Sequence, residues 1–73
     1  MIDYSKGRYT VKDTNGASVG RIDEDEFVRS GTTLLFQVDG EEFYTLNGVL
    51  IGFIENGIVK TPKGERRYSI IPE

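Results

Sequence analysis

Apolar residues in the second half of the chain come in short runs, each interrupted by a turn signal. The interruptions are Asp39-Gly40, Asn47-Gly48, Asn56-Gly57 and Pro62-Lys63-Gly64. Asp-Gly and Asn-Gly suit the type I′ turn of a β-hairpin because both central residues of that turn need a positive φ. The runs between them are rich in β-branched and aromatic residues and too short for helices. The pattern therefore predicts consecutive antiparallel strands.

Similar signals divide the first half of the chain. Asp13-Thr14-Asn15-Gly16, the acidic stretch Asp23-Glu24-Asp25-Glu26 and Ser30-Gly31 separate shorter apolar runs, and residues 1–6 form a leader in which Ile2 and Tyr4 could add an edge strand. The predicted strands cover residues 8–12, 17–22, 27–29, 34–38, 41–46, 49–55, 58–61 and 65–71. The predicted fold is all-β, a small antiparallel meander of about eight short strands coiled into a small barrel or a two-layer roll.

Two-residue turns would fix the register of the central hairpins. The predicted partners are Val38 with Glu41, Phe36 with Phe43, Leu35 with Tyr44, Leu46 with Val49, Tyr44 with Ile51, Phe43 with Gly52, Glu55 with Ile58 and Ile54 with Val59. Since side chains alternate between faces, one face collects Leu34, Phe36, Val38, Phe43, Leu50, Ile54 and Val59. The other face collects Leu35, Tyr44, Leu46, Val49, Ile51, Phe53 and Ile58.

Both faces of this predicted sheet are apolar, whereas a sheet with one wet face alternates between apolar and polar residues. The second face must therefore be covered, and the sequence leaves three ways to cover it. The N-terminal half could pack on it, the sheet could curl on itself, or another copy of the chain could cover it. Curling has a local cause in Gly52, because a glycine in mid-strand is typical of a bulge or a bend.

The two halves of the chain resemble each other, which predicts an imperfect internal repeat with halves 8–31 and 43–64. Tyr9-Thr10-Val11 corresponds to Tyr44-Thr45-Leu46, and Asn15-Gly16 corresponds to Asn47-Gly48. Gly20 and Gly52 then occupy equivalent strand positions. If Gly52 bends its strand, Gly20 is expected to bend its own.

The chain has 73 residues, which predicts a single domain, 1–73, with a small core. It contains no cysteine and no histidine, so neither a disulfide nor a structural zinc is expected to stabilise it. Dimerisation would therefore help stability. No apolar run is long enough to span a membrane and the start resembles no signal peptide, so the expectation is a cytoplasmic protein without a membrane partner.

The residues needed for common catalytic chemistry are missing. Without histidine or cysteine the chain has neither the usual general base near neutral pH nor a thiol nucleophile. No glycine-rich loop fits a phosphate-binding fingerprint. The sequence therefore predicts no enzyme, no catalytic residues, no cofactor and no metal site.

The acidic stretch 23–26 is the densest run of charge in a chain of net charge −3. As a functional element it would be a cation site or a docking patch, although it lacks the spacing of an EF-hand loop. The stretch could also act, together with Glu41 and Glu42, as an acidic decoy of a nucleic-acid-binding protein. The simpler interpretation, which we favour, is a solvated loop between strands.

The C-terminal quarter carries a basic group made of Lys60, Lys63, Arg66 and Arg67, with Tyr68 beside it. Small β-barrels bind single-stranded nucleic acid with basic grooves and aromatic platforms. The alternative prediction is therefore a nucleic-acid binder that uses these five residues. The simpler interpretation is that the charges protect a strand edge against aggregation.

The function that the sequence favours is a non-enzymatic module for protein interaction or assembly. It would act through a strand edge or through an apolar sheet face. Tyr44, Ile51 and Phe53 are the predicted protein-binding residues because they share the second apolar face. The predicted partner is another protein or a second copy of the chain, as a homodimer.

Overall fold

The computed structural model describes residues 4–73, which form eight antiparallel strands closed into a barrel. A 3₁₀ helix, Tyr4–Lys6, precedes the first strand. The strands are β1 Arg8–Asp13, β2 Ser18–Asp23, β3 Phe27–Ser30, β4 Thr33–Asp39, β5 Glu42–Thr45, β6 Leu50–Glu55, β7 Ile58–Lys60 and β8 Arg66–Pro72. The predicted all-β fold of about eight short antiparallel strands is confirmed, and of its two predicted forms, a small barrel or a two-layer roll, the structure is the closed barrel.

The prediction of an edge strand in the leader is wrong at Tyr4. Ile2 lies outside the described residues. Tyr4 belongs to the 3₁₀ helix, and its side chain is only 3% exposed. Its ring makes an edge-on contact with the ring of Tyr9 at a centroid distance of 5.1 Å. Packing of this ring against the core, rather than strand pairing, fixes the start of the described chain.

The barrel closes because β8 pairs with β1, with Val11 opposite Ile70 and Thr10 opposite Ile71. Each strand in the described part of the chain thus has a partner on both sides, and closure of this kind removes the sheet edges. Of the three predicted ways to cover an apolar face, curling of the sheet is the one that buries the inner face of the barrel. The second predicted face becomes the outer surface of the barrel.

Three sets of four positions face the inside of the barrel, and each set comes from alternate strands, as is usual in barrels. The first set is Val11, Val28, Phe43 and Val59, and all four are fully buried. The second set is Ile22, Val38, Ile54 and Ile70, which pair with the first across neighbouring strands. The third set is Gly20, Phe36, Gly52 and Tyr68, which pair with the first within each hairpin.

The third set alternates between glycine and a large aromatic residue. The rings of Phe36 and Tyr68, from β4 and β8, meet with their centroids 5.4 Å apart. Both rings also pack on Phe43, at 5.0 Å and 5.5 Å. Since β4 and β8 lie on opposite sides of the closed order, the two rings fill the interior that Gly20 and Gly52 leave open.

Each of the four hairpins contains one β-bulge, and the bulges correct the predicted register. The extra residues are Val19, Leu35, Ile51 and Arg67. Bulges beside Gly52 and Gly20 agree with the expectation that both strands bend there. Because of the bulge at Ile51, Tyr44 pairs with Leu50 instead of Ile51, while the predicted Phe43–Gly52 pair is confirmed. Leu50, predicted on the inner face, is consequently exposed, whereas Ile51 packs against the core.

The turn at Asp39-Gly40 lies one residue later than predicted. Asp39 pairs with Glu42, so the two central residues are Gly40 and Glu41, and Gly40 has a φ of 61°. A type II′ turn needs a positive φ only at its first central residue, which explains the shift. The predicted pairs Val38–Glu41, Phe36–Phe43 and Leu35–Tyr44 are therefore wrong. The slip amounts to two residues, so Phe36 and Val38 keep their predicted inner face.

The other two glycine turns differ from each other. At Asn56-Gly57 both φ angles are positive, and the predicted pairs Glu55–Ile58 and Ile54–Val59 are confirmed. At Asn47-Gly48 the turn is longer, because the Thr45 N–H donates to the Val49 carbonyl at 2.9 Å. The Val49 N–H donates in return to Thr45 Oγ1 at 3.1 Å. This closed turn replaces the predicted pairing of Leu46 with Val49.

The inward positions recur once per hairpin. Ile22, Val38, Ile54 and Ile70 follow one another at intervals of 16 residues, and so do the four bulge residues. The recurring structural unit is thus one two-stranded hairpin. The predicted two-copy repeat with halves 8–31 and 43–64 is not confirmed.

Tyr4 makes the stability of the barrel depend on pH in the alkaline range. Burial raises the pKa of the Tyr4 phenol above its ordinary value of 10.0. Unfolded Tyr4 therefore loses its proton first, so the stability it contributes is complete below about pH 10 and is lost as the pH rises through the folded pKa. We expect the urea midpoint of the wild type to fall more between pH 9 and about pH 11 than that of Tyr4→Phe. Equal falls in the two proteins would contradict this role.

Candidate interaction surface

Exposed apolar side chains concentrate on one part of the outer barrel surface. The large apolar residues that the described chain leaves exposed are Leu34, Leu46, Val49, Leu50, Phe53 and Ile71. All except Ile71 belong to β4, β6 or the turn that joins β5 to β6. Single exposed apolar residues are normal, but a contiguous group indicates an interaction surface. We call Tyr44, Leu46, Val49, Leu50 and Phe53 the β5–β6 surface.

Phe53 lies in the middle of a row across three strands. It pairs with Glu42 in β5 and with Lys60 in β7. The neighbouring residues Phe43 and Gly52 face the interior, so this row faces outward and leaves the Phe53 side chain 41% exposed. Adjacent strands are about 4.8 Å apart. An acidic and a basic residue thus flank the aromatic ring at similar spacings on its two sides.

Tyr44 and Leu50 form the next pair along the same two strands. The Tyr44 hydroxyl donates a hydrogen bond of 2.9 Å to Glu42 Oε1. This bond to the carboxylate is the main reason why the pKa of Tyr44 is raised above its ordinary value. The phenol therefore stays neutral near pH 7, and its ring adds apolar area opposite Leu50.

The turn beyond this pair extends the surface to the end of the barrel. Leu46 is 46% exposed and Val49 is 62% exposed. The hydrogen bonds between Thr45 and Val49 hold the turn closed and keep both side chains on a defined loop. Leu34, which was predicted on the inner face, is exposed on the neighbouring strand β4, because the bulge at Leu35 reverses its side. The surface therefore has a fixed backbone rather than a loose loop.

The structure places the three predicted protein-binding residues in two environments. Tyr44 and Phe53 lie on the outer face, as the alternation predicts. Ile51 is half-buried and packs against the core, so it is not brought together with them. Leu50 takes its place on the surface, and sequence reasoning missed this residue. The available signal was Gly52, since a bulge next to it reverses the faces of the residues before it.

The basic group is spread over a turn and two strands. Lys60 pairs with Arg66, Arg67 is the bulge residue, and Lys63 lies in the intervening turn. Lys60 Nζ lies 3.8 Å from Glu55 Oε2, so part of its charge is compensated. Tyr68 packs against Phe36 and Phe43 inside the barrel, but it is only half-buried and also lines a cleft with Arg66 and Lys12.

The acidic stretch 23–26 binds groups of its own chain. Asp23 and Glu24 both contact Arg8 Nε, at 3.1 Å and 3.3 Å. Asp25 forms an ion pair with Arg29, and Glu26 accepts a hydrogen bond from Gln37 at 3.3 Å. Within residues 4–73 no group of three or more acidic, histidine or cysteine side chains is arranged to hold a metal ion. These contacts are typical of a solvated loop that is anchored to neighbouring strands.

None of the helical structure in residues 4–73 has the length and apolar character that a transmembrane helix needs. Comparison of the chain with protein-family models, with curated proteins and with solved structures found no match.

Proposed function

We propose that this chain is a non-enzymatic assembly module that forms a homodimer through the β5–β6 surface. The observation that supports it is the concentration of exposed apolar side chains on one outer face of a barrel that is closed. Closure of the barrel buries the inner apolar face but leaves the outer apolar face exposed to solvent. A strand edge is not part of the proposal, because each strand in residues 4–73 is already paired on both sides.

The row Glu42–Phe53–Lys60 favours a second copy of the chain over an unrelated partner. A twofold interface places the same surface of each subunit against the other. With the axis close to Phe53, the two rings meet, Glu42 faces the second copy's lysine and Lys60 faces its glutamate. A row with an acidic residue at one end and a basic residue at the other is complementary to itself only in this arrangement.

The size of the barrel agrees with this proposal. Small domains bury a low fraction of their surface and are marginally stable alone, and association adds buried apolar area. A standard interface takes about 800 Å² from each partner. The described chain exposes 4683 Å². An interface of that size would need the whole surface from Phe53 to Leu46 rather than the Phe53 ring alone.

Charge reversal tests the proposed symmetry. Glu42→Lys would place two like charges face to face at both ends of the row. The dissociation constant of the dimer should therefore rise at least about tenfold above that of the wild type. Adding Lys60→Glu to this variant would restore the complementary row and should recover dimerisation. Sedimentation equilibrium on the wild type, the single variant and the double variant measures both effects.

Glu65→Lys is the matched control, because Glu65 is an exposed acidic residue in the turn before β8. It changes the net charge by the same amount and should leave the dimer intact. Two results would reject the arrangement. One is a double variant that associates no better than Glu42→Lys, and the other is a Glu65→Lys variant that dissociates equally.

A further inference from the structure

A cleft of about 290 Å³ lies on the outer side of β1–β3, with Glu73 along its border. Strand β2 lies opposite β6 in the closed order, so the cleft is on the other side of the barrel from the β5–β6 surface. The residues that matter for its chemistry are Thr10, Ser18, Gly20, Arg21, Arg29 and Ser30. Two guanidinium groups and three hydroxyls thus surround one space.

The two arginines are direct cross-strand partners. Arg21 in β2 pairs with Arg29 in β3. Like charges directly opposite each other are destabilising unless anions compensate them. Each of the two has one carboxylate partner, since Arg21 Nη2 lies 3.2 Å from Glu73 Oε1 and Arg29 forms an ion pair with Asp25.

These two contacts leave donor capacity in the cleft. Each guanidinium has five N–H donors in a fixed fork. The Nε atom of Arg29 is buried and finds no hydrogen-bond acceptor among the described residues. A buried donor without a partner is uncommon and calls for a physical explanation. Because Nε has almost no solvent-accessible surface, an anion in the cleft would reach the terminal nitrogens of the two guanidinium groups rather than Nε.

Glu73 shows how the cleft holds a carboxylate. One of its oxygens contacts Arg21, and the other accepts a hydrogen bond from Thr10 Oγ1 at 3.3 Å. The ion pair is partly exposed, with side-chain exposures of 50% for Arg21 and 32% for Glu73. Ion pairs of this kind add little to stability. Displacement of Glu73 by a competing anion therefore costs the fold little.

We propose that this cleft is a binding site for an oxyanion group, carboxylate or phosphate, and that Glu73 occupies it as an internal competitor. Arg21 and Arg29 neutralise the anion and donate to it, and the hydroxyls of Ser18 and Ser30 add donors. The backbone of Gly20, next to Arg21 in β2, lines the cleft as well. When a ligand binds, Glu73 leaves Arg21 and Thr10.

The test is a titration of isotope-labelled protein with inorganic phosphate, followed by the amide NMR signals. Removing the competitor in Glu73→Gln should tighten phosphate binding by about 1.5- to fivefold, the range that loss of a weak, partly exposed ion pair allows. The shifted amides should be those of the cleft, Gly20, Arg29 and Gly31 foremost. Adding Arg21→Gln to this variant should abolish the gain.

Arg66→Gln in the Glu73→Gln background is the matched control, since it removes one exposed arginine away from the cleft. This variant should keep the increased phosphate affinity of Glu73→Gln. A parallel titration with acetate identifies the ligand class, because the anion that saturates the cleft amides at lower concentration carries the better-matched group.

Three results would overturn the proposal. They are equal phosphate affinity of Glu73→Gln and the wild type, a gain that survives Arg21→Gln, and shifts that spread over all basic residues. Circular dichroism establishes that each variant is folded. Repeating the titration in Phe53→Glu separates this site from the proposed dimer, since the cleft should bind anions equally well in a monomer.

Discussion

Gly52→Ala is expected to unfold the barrel or to lower its free energy of unfolding by about 3 kcal/mol or more. A Cβ atom at this position would overlap the Lys60 carbonyl oxygen and would lie 2.6 Å from the carbonyl carbon. Both atoms belong to the backbone of the neighbouring strand, so no side-chain rotation relieves the clash. Strands β6 and β7 would have to separate next to the Phe43 core. Single domains are stable by only about 5–15 kcal/mol, so the loss is a large part of the total.

Two further glycines provide a graded control. At Gly20 the added atom would meet the Arg29 carbonyl oxygen at 2.7 Å, so Gly20→Ala should cost less than Gly52→Ala. At Gly16 nothing lies within 4 Å, and the cost is limited to the positive φ of 83°, about 1–2 kcal/mol. Urea denaturation should therefore rank the midpoints Gly16→Ala, Gly20→Ala and Gly52→Ala from highest to lowest. A Gly52→Ala variant as stable as Gly16→Ala would contradict the close approach of β6 and β7.

Phe53→Glu is expected to convert the proposed dimer to a monomer across the micromolar range. The substitution places a carboxylate at the twofold axis, opposite its own copy. Two buried like charges there would cost several kcal/mol, and the apolar contact of the ring would be lost as well. Size-exclusion chromatography with light scattering measures the change as a loss of half the mass.

Ile71→Glu is the matched control for this substitution. Ile71 is 42% exposed, almost the same as Phe53 at 41%, and it lies on β8, outside the β5–β6 surface. Both variants add the same charge to an outward strand position, so a general effect of charge or of strand destabilisation would appear in both. If Ile71→Glu also becomes a monomer, the loss of the dimer is not specific to the β5–β6 surface, and the proposed interface is rejected. Thermal melts of the two variants check that each remains folded.

The local sequence determined most of the strand architecture. Turn dipeptides and short apolar runs placed all eight strands to within one residue at each end, and Asn56-Gly57 fixed its hairpin register. The Asp39-Gly40 register failed because Gly-x also forms a two-residue turn, and the energies of the alternatives depend on the strands that flank them. Barrel closure was one of several predicted outcomes. It depends on the β1–β8 pairing, which is distant in sequence.

The bulges explain why the candidate surface was only partly predictable. Alternation assigns faces correctly until an extra residue reverses them. That reversal moved Leu50 outward and brought Ile51 against the core. The core contacts of Tyr68 were not predicted either, since its inward position follows from the alternation of Gly20, Phe36, Gly52 and Tyr68 around the barrel. The contacts of Glu73 with Arg21 and Thr10 leave no local sequence signal at all.

The central claim is that the outer apolar face is covered by a second copy of the chain. The most direct test is the molar mass of the wild type, measured by light scattering over a concentration series. We expect twice the chain mass of 8.2 kDa at high concentration, falling toward the chain mass on dilution. A mass of 8.2 kDa at every concentration, up to the millimolar range, would contradict the claim.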